Sequence, residues 1–279
     1  MPFIKVDDHE IFYEIQGEGI PVLLLEGLGY STWMWKYQLP DFSKHFTSVM
    51  PDNRGVGKSE KLTGPYSIEM FAKDSISVMD QLGFDMFYVI GVSMGGFIAQ
   101  RIAALEPERV KGIVLVSTSC GGKKSIPMSK EVFDQMRLNL NGESSRDRIR
   151  RTMSLAFTES FPTSKPDQFN SIIEDRLKSL QPEDQLIYQS LSSINFDSSV
   201  SNRNVKVPSL IVAGMEDKVL PWLNSLLIYR SIPTSSLILF KNQNHLLFIE
   251  EFVRFNKSVL DFIGAVEGST YSEFLEEVF

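Results

Sequence analysis

Three side chains in the sequence have the types that nucleophilic catalysis by a hydroxyl requires: Ser93, Asp217 and His245. A serine hydroxyl attacks poorly until a base takes its proton. A neutral imidazole can accept that proton near pH 7, and a carboxylate orients the imidazole and stabilises its cation. Each residue follows directly after a predicted strand, so a parallel sheet would present all three at one edge. We therefore predict acyl transfer with Ser93 as the nucleophile, His245 as the base and Asp217 as the orienting carboxylate.

The segment around Ser93 has the form Gly-x-Ser-x-Gly-Gly, from Gly91 to Gly96, between a predicted strand over 85–90 and helical spacing from Phe97. A strand that turns directly into a helix passes close to itself, so we expect glycine on both sides and a strained positive φ at the serine. The helix N-terminus would then face negative charge that develops beside Ser93. The pentapeptide alone is a weak signal, and the late histidine makes it specific.

The base can be chosen by position, because the chain has three histidines. His9 falls in the first predicted hairpin, and His45 precedes a strand at the edge opposite Ser93. Only His245 follows a strand late in the chain. The carboxylate is less determined, since Glu216 is the neighbour of Asp217 and either side chain could reach the imidazole.

A second loop belongs to the same predicted edge. The apolar run over 21–25 predicts a central strand, and it ends at Glu26-Gly27-Leu28-Gly29. Glycine allows the backbone to approach a ligand, so the N–H of Leu28 is a candidate oxyanion donor; a glycine-rich turn without chemistry is the alternative. Two glycines also occur in the loop over 52–59, but their spacing fits no phosphate-binding motif and indicates a structural turn.

From about residue 127 to 208 the pattern changes to helical periodicities separated by prolines. A block of helices inserted into strand and helix alternation predicts a cap over the carboxyl edge of the sheet. Candidate pocket residues are Glu26, Trp33, Met136, Met153 and Phe157, although apolar stripes of this kind are usually ordinary packing. The predicted helical faces are Met128, Val132, Met136 and Leu140; Ile149, Met153 and Phe157; Phe169, Ile172, Ile173, Arg176, Leu177 and Leu180; and Ile187, Leu191 and Ile194.

Composition limits the function classes. The 279 residues carry a net charge of −7 with 43% hydrophobic residues, and no basic run is present to track a phosphate backbone, so we expect no nucleic-acid partner. The single cysteine, Cys120, excludes an internal disulfide, and no cysteine and histidine cluster has zinc spacing. The first residues lack a signal peptide and no long apolar run occurs, which predicts a cytoplasmic protein without a membrane anchor.

Several motifs together resemble the α/β-hydrolase superfamily. They are the segment over 91–96, the Asp52-x-Arg54-Gly55-x-Gly57-x-Ser59 loop, Gly214-x-x-Asp217-x-x-x-Pro221, and Asn244-His245 preceding Glu250. The resemblance implies a serine hydrolase in which the N–H groups of Leu28 and Met94 form the oxyanion hole. Members with an aspartate nucleophile are disfavoured because position 93 is serine.

The resemblance implies an α/β fold with a mostly parallel sheet of about eight strands, flanked by helices and carrying an inserted helical cap. We assign 1–122 and 205–265 to the core, 123–204 to the cap and 266–279 to an amphipathic tail. The tail has Tyr271, Phe274, Leu275 and Val278 at helical spacing; packing on its own domain is the default and a dimer contact the alternative, so monomer and homodimer both stay open.

The sequence departs from the family pattern at Glu26. The family commonly has His-Gly after this central strand, whereas this chain has Glu26-Gly27. A carboxylate beside an oxyanion would repel it, so we expect Glu26 to turn into a backbone hydrogen bond or to be protonated. The predicted substrate is a small carboxylic ester or lactone with an apolar acyl group, without metal or cofactor. Carbon–carbon bond hydrolysis, aminopeptidase-like amide hydrolysis and cofactor-free perhydrolysis match the motifs equally, and a slow-turnover receptor or regulatory binder is the alternative from another class.

Overall fold

The computed structural model of the chain describes residues 2–138, 142–272 and 274, and its centre is one eight-stranded sheet. The strand order is β1-β2-β4-β3-β5-β6-β7-β8, antiparallel for the pairs β1–β2 and β2–β4 and parallel for the others. The predicted fold class is confirmed. The strands are β1 (Phe3–Val6), β2 (His9–Gln16), β3 (Ile20–Leu25), β4 (Phe46–Pro51), β5 (Phe87–Val92), β6 (Val110–Val116), β7 (Ser209–Gly214) and β8 (Ser235–Phe240).

Helices cover both faces of this sheet. In the described residues they are α1 (Leu39–Phe42), α2 (Ile68–Gln81), α3 (Met94–Leu105), α4 (Lys130–Arg137), α5 (Ser145–Ser154), α6 (Phe161–Ser164), α7 (Pro166–Lys178), α8 (Glu183–Ile194), α9 (Leu223–Ser231), α10 (Leu247–Glu250) and α11 (Phe252–Glu267). The five helices α4 to α8 lie between β6 and β7 in the chain, and we call residues 123–204 the insert. None of the described helices has both the length and the apolar character needed to cross a membrane.

The central strands are buried on both faces because their side chains alternate between two cores. Leu24 and Ile90 pack in a core with Phe169 of the insert and with α11. Leu23 and Val89 pack in the other core with α2 and α3. This double burial explains why the strands read as continuous apolar runs in the sequence.

The loop after β4 folds around one side chain. Asp52 Oδ1 accepts the N–H of Thr32 and Oδ2 accepts that of Lys58, at 2.9 and 2.8 Å. Arg54 donates two hydrogen bonds of 2.6 Å to the buried carboxylate of Asp74. The polar groups of this loop thus contact the protein itself, in agreement with the predicted structural turn.

Two predicted boundaries were wrong. The strand expected over 85–90 begins at Phe87, and Met86 is exposed because the chain is still turning there. The apolar spacing over 248–263 predicts one amphipathic helix with Val253 on its inward face, but the helix is interrupted at Glu251, where φ is −111° and ψ is 40°. The interruption rotates the faces, so Val253, predicted to point inward, is 67% exposed.

The predicted face of α8 was also wrong. Ile187, Leu191 and Ile194 are exposed, with Ile194 at 73%. The buried side chains of α8 are polar, and they bind backbone groups of core loops: Gln189 Oε1 accepts the N–H of Gly29 at 3.0 Å, and Gln185 Nε2 donates to the carbonyl of Leu62 at 3.0 Å. Loop backbones bring unpaired polar groups into the interior, so the polar face is the one that packs.

The described residues of the tail pack against the core of the same chain. The Tyr271 and Phe274 rings both contact that of Phe262, at 5.6 and 5.9 Å, and the N–H of Ser209 donates to the Tyr271 hydroxyl at 3.2 Å. These contacts agree with the default packing. Leu140, Leu275 and Val278, which the sequence placed on helical faces, lie outside the described residues.

Candidate active site

Ser93 stands at the turn between β5 and α3, with φ 55° and ψ −115°. The positive φ expected of a nucleophile elbow is thus present. Its N–H donates to the carbonyl of Val116 on the neighbouring strand at 2.9 Å, which fixes the turn on the sheet. A Cβ at Gly95 would lie 2.1 Å from the carbonyl oxygen of Leu25, and one at Gly91 would lie 2.2 Å from that of Gly95. Glycine is therefore required at both positions.

The loop after β3 lies against this turn. A Cβ built on Gly27 is 3.4 Å from the Cβ of Ser93. In the described part of the chain, the N–H groups of Leu28 and Met94 donate to no acceptor. Met94 is the first residue of α3, so its N–H has no partner within the helix. Two unpaired donors thus belong to the segments on either side of the serine, as the predicted oxyanion role requires.

The carboxylate and the imidazole are joined directly. Nδ1 of His245 lies 2.8 Å from Oδ2 of Asp217, and the Asp217 side chain is completely buried. The other carboxylate oxygen, Oδ1, accepts the N–H groups of Val219 and Leu220, both at 2.8 Å. Glu216 is exposed and its neighbour makes the contact, so the structure selects Asp217 between the two carboxylates that the sequence left open.

Ser93 and His245 lie at the same edge of the sheet, after β5 and β8, but no hydrogen bond joins them within residues 2–138, 142–272 and 274. The bond to Asp217 occupies Nδ1 and leaves Nε2 as the nitrogen available to a hydroxyl. Catalytic hydrogen bonds are often long before substrate binds and tighten in the complex. The arrangement therefore has a paired base and a partly exposed serine at one edge.

Asn244 holds the histidine loop in place. Its Oδ1 accepts the N–H groups of His245 and Lys218, at 2.8 and 3.0 Å, and its Nδ2 donates to the carbonyls of Leu155 and Phe157, at 3.0 and 2.7 Å. The side chain is 2% exposed. One amide thus uses its full hydrogen-bonding capacity to join the loop of Asp217, the loop of His245 and the insert.

Replacing Asn244 with alanine is expected to lower the free energy of unfolding by about 2–4 kcal/mol, because it leaves buried backbone donors and acceptors without partners. Urea denaturation of both proteins measures the change. Asn195→Ala, which removes the same group from an exposed position, is the matched control and should stay within about 0.5 kcal/mol. Equal stability of Asn244→Ala and the parent chain would show that the amide does not hold the loops together.

Glu26 is fully buried below the loop that carries Leu28. Its Oε1 accepts the N–H of Asn53 at 3.0 Å, while Oε2 has no partner among the described residues. Burial and, secondly, the charge of Asp52 hold the pKa of Glu26 well above its ordinary value. Burial also raises the pKa of Asp52. The backbone hydrogen bond that the sequence analysis offered as one alternative for Glu26 is present, and the raised pKa favours the other alternative, a protonated carboxyl.

The raised pKa gives a prediction for stability against pH. The folded chain retains a proton on Glu26 that the unfolded chain loses near its ordinary pKa of 4.5, so stability falls as pH rises from there towards the folded pKa. The glutamine of Glu26→Gln is neutral at every pH, so the variant does not lose stability in this way. Its free energy of unfolding should therefore rise relative to that of the parent chain as pH increases from about 4.5. The difference should become constant once Glu26 ionises in the folded parent chain.

Urea denaturation at pH 4.5, 6, 7 and 8 measures that difference, with the same substitution at exposed Glu18 as the reference. A difference between Glu26→Gln and the parent chain that stays constant across the series would mean that Glu26 is ionised in the folded protein.

The remaining pocket candidates lie in or beside the insert. Trp33 Nε1 donates to Ser179 Oγ at 2.8 Å, which places its ring on the C-terminal end of α7. Phe157 stacks on Phe161 at 4.5 Å and belongs, with Met153, to the core that contains Leu24 and Ile90. Met136 lies on α4, none of whose residues is buried. These contacts are packing contacts, and a role in substrate binding stays a prediction.

The other histidines are placed as expected. His9 is in the first hairpin, and its Nε2 lies 3.3 Å from Asp74. The carbonyl of His45 accepts the N–H of Ile20 at the start of β3, at the edge opposite Ser93. In the described part of the chain, no group of three or more His, Cys, Asp or Glu side chains could hold a metal ion.

Sequence reasoning missed Asn244 as a positioning residue and Gln189 as the acceptor for Gly29. Both join the insert to loops more than 80 residues away in the chain. No local sequence pattern indicates that a side chain binds a loop so far away. For Asn244, its position directly before the predicted base was the only sequence signal of a role in the site.

A family model described as the alpha/beta hydrolase fold matches residues 20–252. The chain belongs to the α/β-hydrolase fold family. The matched range includes the strands β3 to β8, the insert, and Ser93, Asp217 and His245. It supports a hydrolase, and hence an enzyme, and leaves the substrate open.

Among relatives, a putative carbamate hydrolase, RutD, of Azorhizobium caulinodans is 24% identical over 96% of this chain and 100% of its own length. A 2-hydroxymuconate semialdehyde hydrolase of Pseudomonas putida is 27% identical over 90% of each chain. The crystal structure of an enol-lactonase from Burkholderia xenovorans superposes with a TM-score of 0.81 at 25% identity, covering 94% of this chain and 100% of the other. These hydrolases of the family differ in substrate, so the reaction must be argued from the site.

Proposed function

We propose that the chain is a serine hydrolase that cleaves a small carboxylic ester or lactone through an acyl-enzyme. The observation that carries this proposal is the 2.8 Å hydrogen bond between Nδ1 of His245 and the buried carboxylate of Asp217. A buried carboxylate on Nδ1 favours the imidazole tautomer whose Nε2 accepts a proton. Ser93 at a positive φ supplies the hydroxyl at the same edge.

The proposed reaction has two halves. Ser93 Oγ forms a bond to the substrate carbonyl carbon while its proton passes to Nε2 of His245, and the N–H groups of Leu28 and Met94 donate to the oxyanion. That proton passes to the alcohol oxygen, which leaves as a free alcohol from an ester and stays on the acyl chain as a hydroxyl when the substrate is a lactone. Water then gives a proton to His245, attacks the acyl group and releases the acid, and the proton returns to Ser93.

We further propose that the insert acts as a cap that shapes the substrate site. Support comes from its contacts with the catalytic loops: Asn244 donates to two of its carbonyls, and Gln189 accepts from Gly29. Carbon–carbon bond hydrolysis matches the motifs around Ser93, Asp217 and His245 as well as ester hydrolysis does. Carbon–carbon bond hydrolysis is therefore the second candidate, and it is favoured by the 27% identity to the semialdehyde hydrolase.

Acid release measured by pH-stat tests the proposal on four substrate sets: p-nitrophenyl esters, lactones, dienoates and aminoacyl arylamides. We expect multiple turnovers on esters or lactones. Turnover on dienoates alone would replace the proposal by the second candidate. If the protein turns over none of the four substrate sets more than once, the proposal of an enzyme is rejected and a ligand receptor is favoured.

A further inference from the structure

The side chain of Gln189 joins the insert to the loop that carries Leu28. Gln189 lies on α8 and is completely buried, and its Oε1 accepts the N–H of Gly29 at 3.0 Å. Its Nε2 donates to the carbonyl of Arg54 at 3.4 Å, in the loop after β4. These partners determine the orientation of the amide, because a backbone N–H can only donate and a carbonyl can only accept. The insert therefore supplies an acceptor for the backbone next to the proposed oxyanion donor.

Residues 27–30 form a β-turn of defined type. The N–H of Tyr30 donates to the carbonyl of Gly27 at 3.1 Å, and Gly29, the third residue, has φ 71°. Leu28, the second residue, is not one of the residues with a positive φ. A positive φ at the third position alone is typical of a type II turn, which favours glycine there. A type I turn closes the same hydrogen bond with the central peptide rotated by about half a turn, and glycine allows both forms.

Gln189 holds the central peptide of this turn. That peptide joins Leu28 to Gly29, and its N–H is the group that Gln189 accepts. The preceding peptide carries the N–H of Leu28, which has no acceptor within the described chain. Rotation of the central peptide changes ψ of Leu28, so the two planar peptides are connected through a single residue. The hydrogen bond to Gln189 thus selects one form of the turn that presents the proposed oxyanion donor.

The turn has a strong reason to rearrange when this acceptor is removed. Gly29 is buried, and a buried N–H without a partner costs free energy comparable to a lost hydrogen bond. Rotation of the central peptide would relieve that cost by turning the N–H away from the insert. The same loop contacts the nucleophile's turn, since a Cβ on Gly27 would lie 3.4 Å from that of Ser93. A rearrangement at Gly29 would therefore be felt beside the reacting hydroxyl.

We infer that Gln189 is a positioning residue for the proposed reaction, which holds the turn over 27–30 in the form that directs the N–H of Leu28 at the oxyanion. This inference rests on the proposed function and adds a side chain of the insert to the groups on which kcat depends. A preorganised donor stabilises the transition state without rearrangement at the moment of reaction. The substrate ground state uses this donor less than the transition state does, so the loss should appear in kcat and spare KM.

Gln189→Met tests the inference, because methionine keeps the length of the side chain and removes both hydrogen bonds. The variant should lower kcat for p-nitrophenyl butyrate about ten- to hundredfold, with KM within about threefold. Gln189→Asn, whose amide is one methylene too short to reach Gly29, should show the same separation of kcat from KM. It replaces the methionine variant if that protein does not fold.

Gln185→Met is the matched control. Gln185 lies one turn earlier on α8, is 3% exposed, and donates from Nε2 to the carbonyl of Leu62 at 3.0 Å, so it joins the helix to the core without contacting the turn over 27–30. Both methionine variants should lower the thermal midpoint by a similar amount, about 3–8 °C, while Gln185→Met keeps kcat within about threefold. Equal losses of kcat in the two variants would overturn the inference and assign Gln189 to packing of α8. Unchanged kcat in Gln189→Met would overturn it as well.

The rate at which a fluorophosphonate labels Ser93 separates this inference from the proposed function, because the reagent develops negative charge at the same donors and needs no knowledge of the substrate. We expect Gln189→Met to react about tenfold or more slowly than the parent chain, and Gln185→Met within about threefold of it. Equal rates in Gln189→Met and the parent chain would overturn the inference and leave the proposed function intact. A parent chain that is not labelled would overturn the proposed function, and the inference with it.

Discussion

Ser93→Ala is expected to lower kcat for ester hydrolysis by about 10⁴-fold or more, with KM changed by less than about threefold. The hydroxyl is the only group removed, and alanine meets the same positive φ as serine, so the turn between β5 and α3 keeps its shape. The substrate-binding contacts and the oxyanion donors stay in place, so KM should change little. Steady-state kinetics on p-nitrophenyl butyrate measure both parameters.

Ser117→Ala is the matched control for this prediction. Ser117 follows the neighbouring strand β6 directly, also has a positive φ, 46°, and has a buried Oγ without a partner among the described residues. Its removal should leave kcat within about threefold. Equal activity of Ser93→Ala and the parent chain would mean that the hydrolysis uses another nucleophile.

The second large effect is expected for Asp217→Asn, with kcat lowered by about 10⁴-fold. The reason lies in the hydrogen bonds around the carboxylate. Oδ1 accepts the N–H groups of Val219 and Leu220, so an asparagine must keep its oxygen there and present its NH₂ to His245. A donor facing Nδ1 forces the imidazole tautomer that carries its proton on Nε2. That nitrogen cannot then take the proton of Ser93.

Steady-state kinetics and thermal denaturation of Asp217→Asn should show the loss of kcat without unfolding, because both loop hydrogen bonds survive. Glu216→Gln, the same change at the exposed neighbour, is the control and should stay within about threefold. A small loss in Asp217→Asn, of about tenfold or less, would show that the carboxylate only supports the loop and does not orient the base.

The carboxyl edge of the sheet could be predicted from the sequence because its signals are local. A buried strand reads as an apolar run, and the elbow requires glycines beside Ser93 for steric reasons that hold in any context. The order of β3, β5, β7 and β8 then brings the loops after them to one edge. The positive φ of Ser93 and the contact of Asp217 with His245 follow from those few constraints.

The insert could not be predicted to the same depth because its packing depends on distant partners. Helical spacing located α8, yet its polar face is buried, since Gln185 and Gln189 complete loop backbone groups that no local pattern reveals. The same holds for Arg176, which the sequence placed on an apolar helical face and whose guanidinium instead stacks on the ring of Tyr30 beside Gly29. The prediction for Val253 failed for a local reason. The helix is interrupted at Glu251, and this changes the direction of the side chains that follow it in α11.

The central claim is that a hydroxyl at the elbow is made nucleophilic by the imidazole after the last strand. Intact mass spectrometry after treatment with a fluorophosphonate tests it most directly. We predict one adduct per chain, located on Ser93 by peptide mapping, absent in Ser93→Ala and formed at least about 100-fold more slowly in His245→Ala. An adduct on another residue, or equal labelling rates with and without His245, would contradict this account.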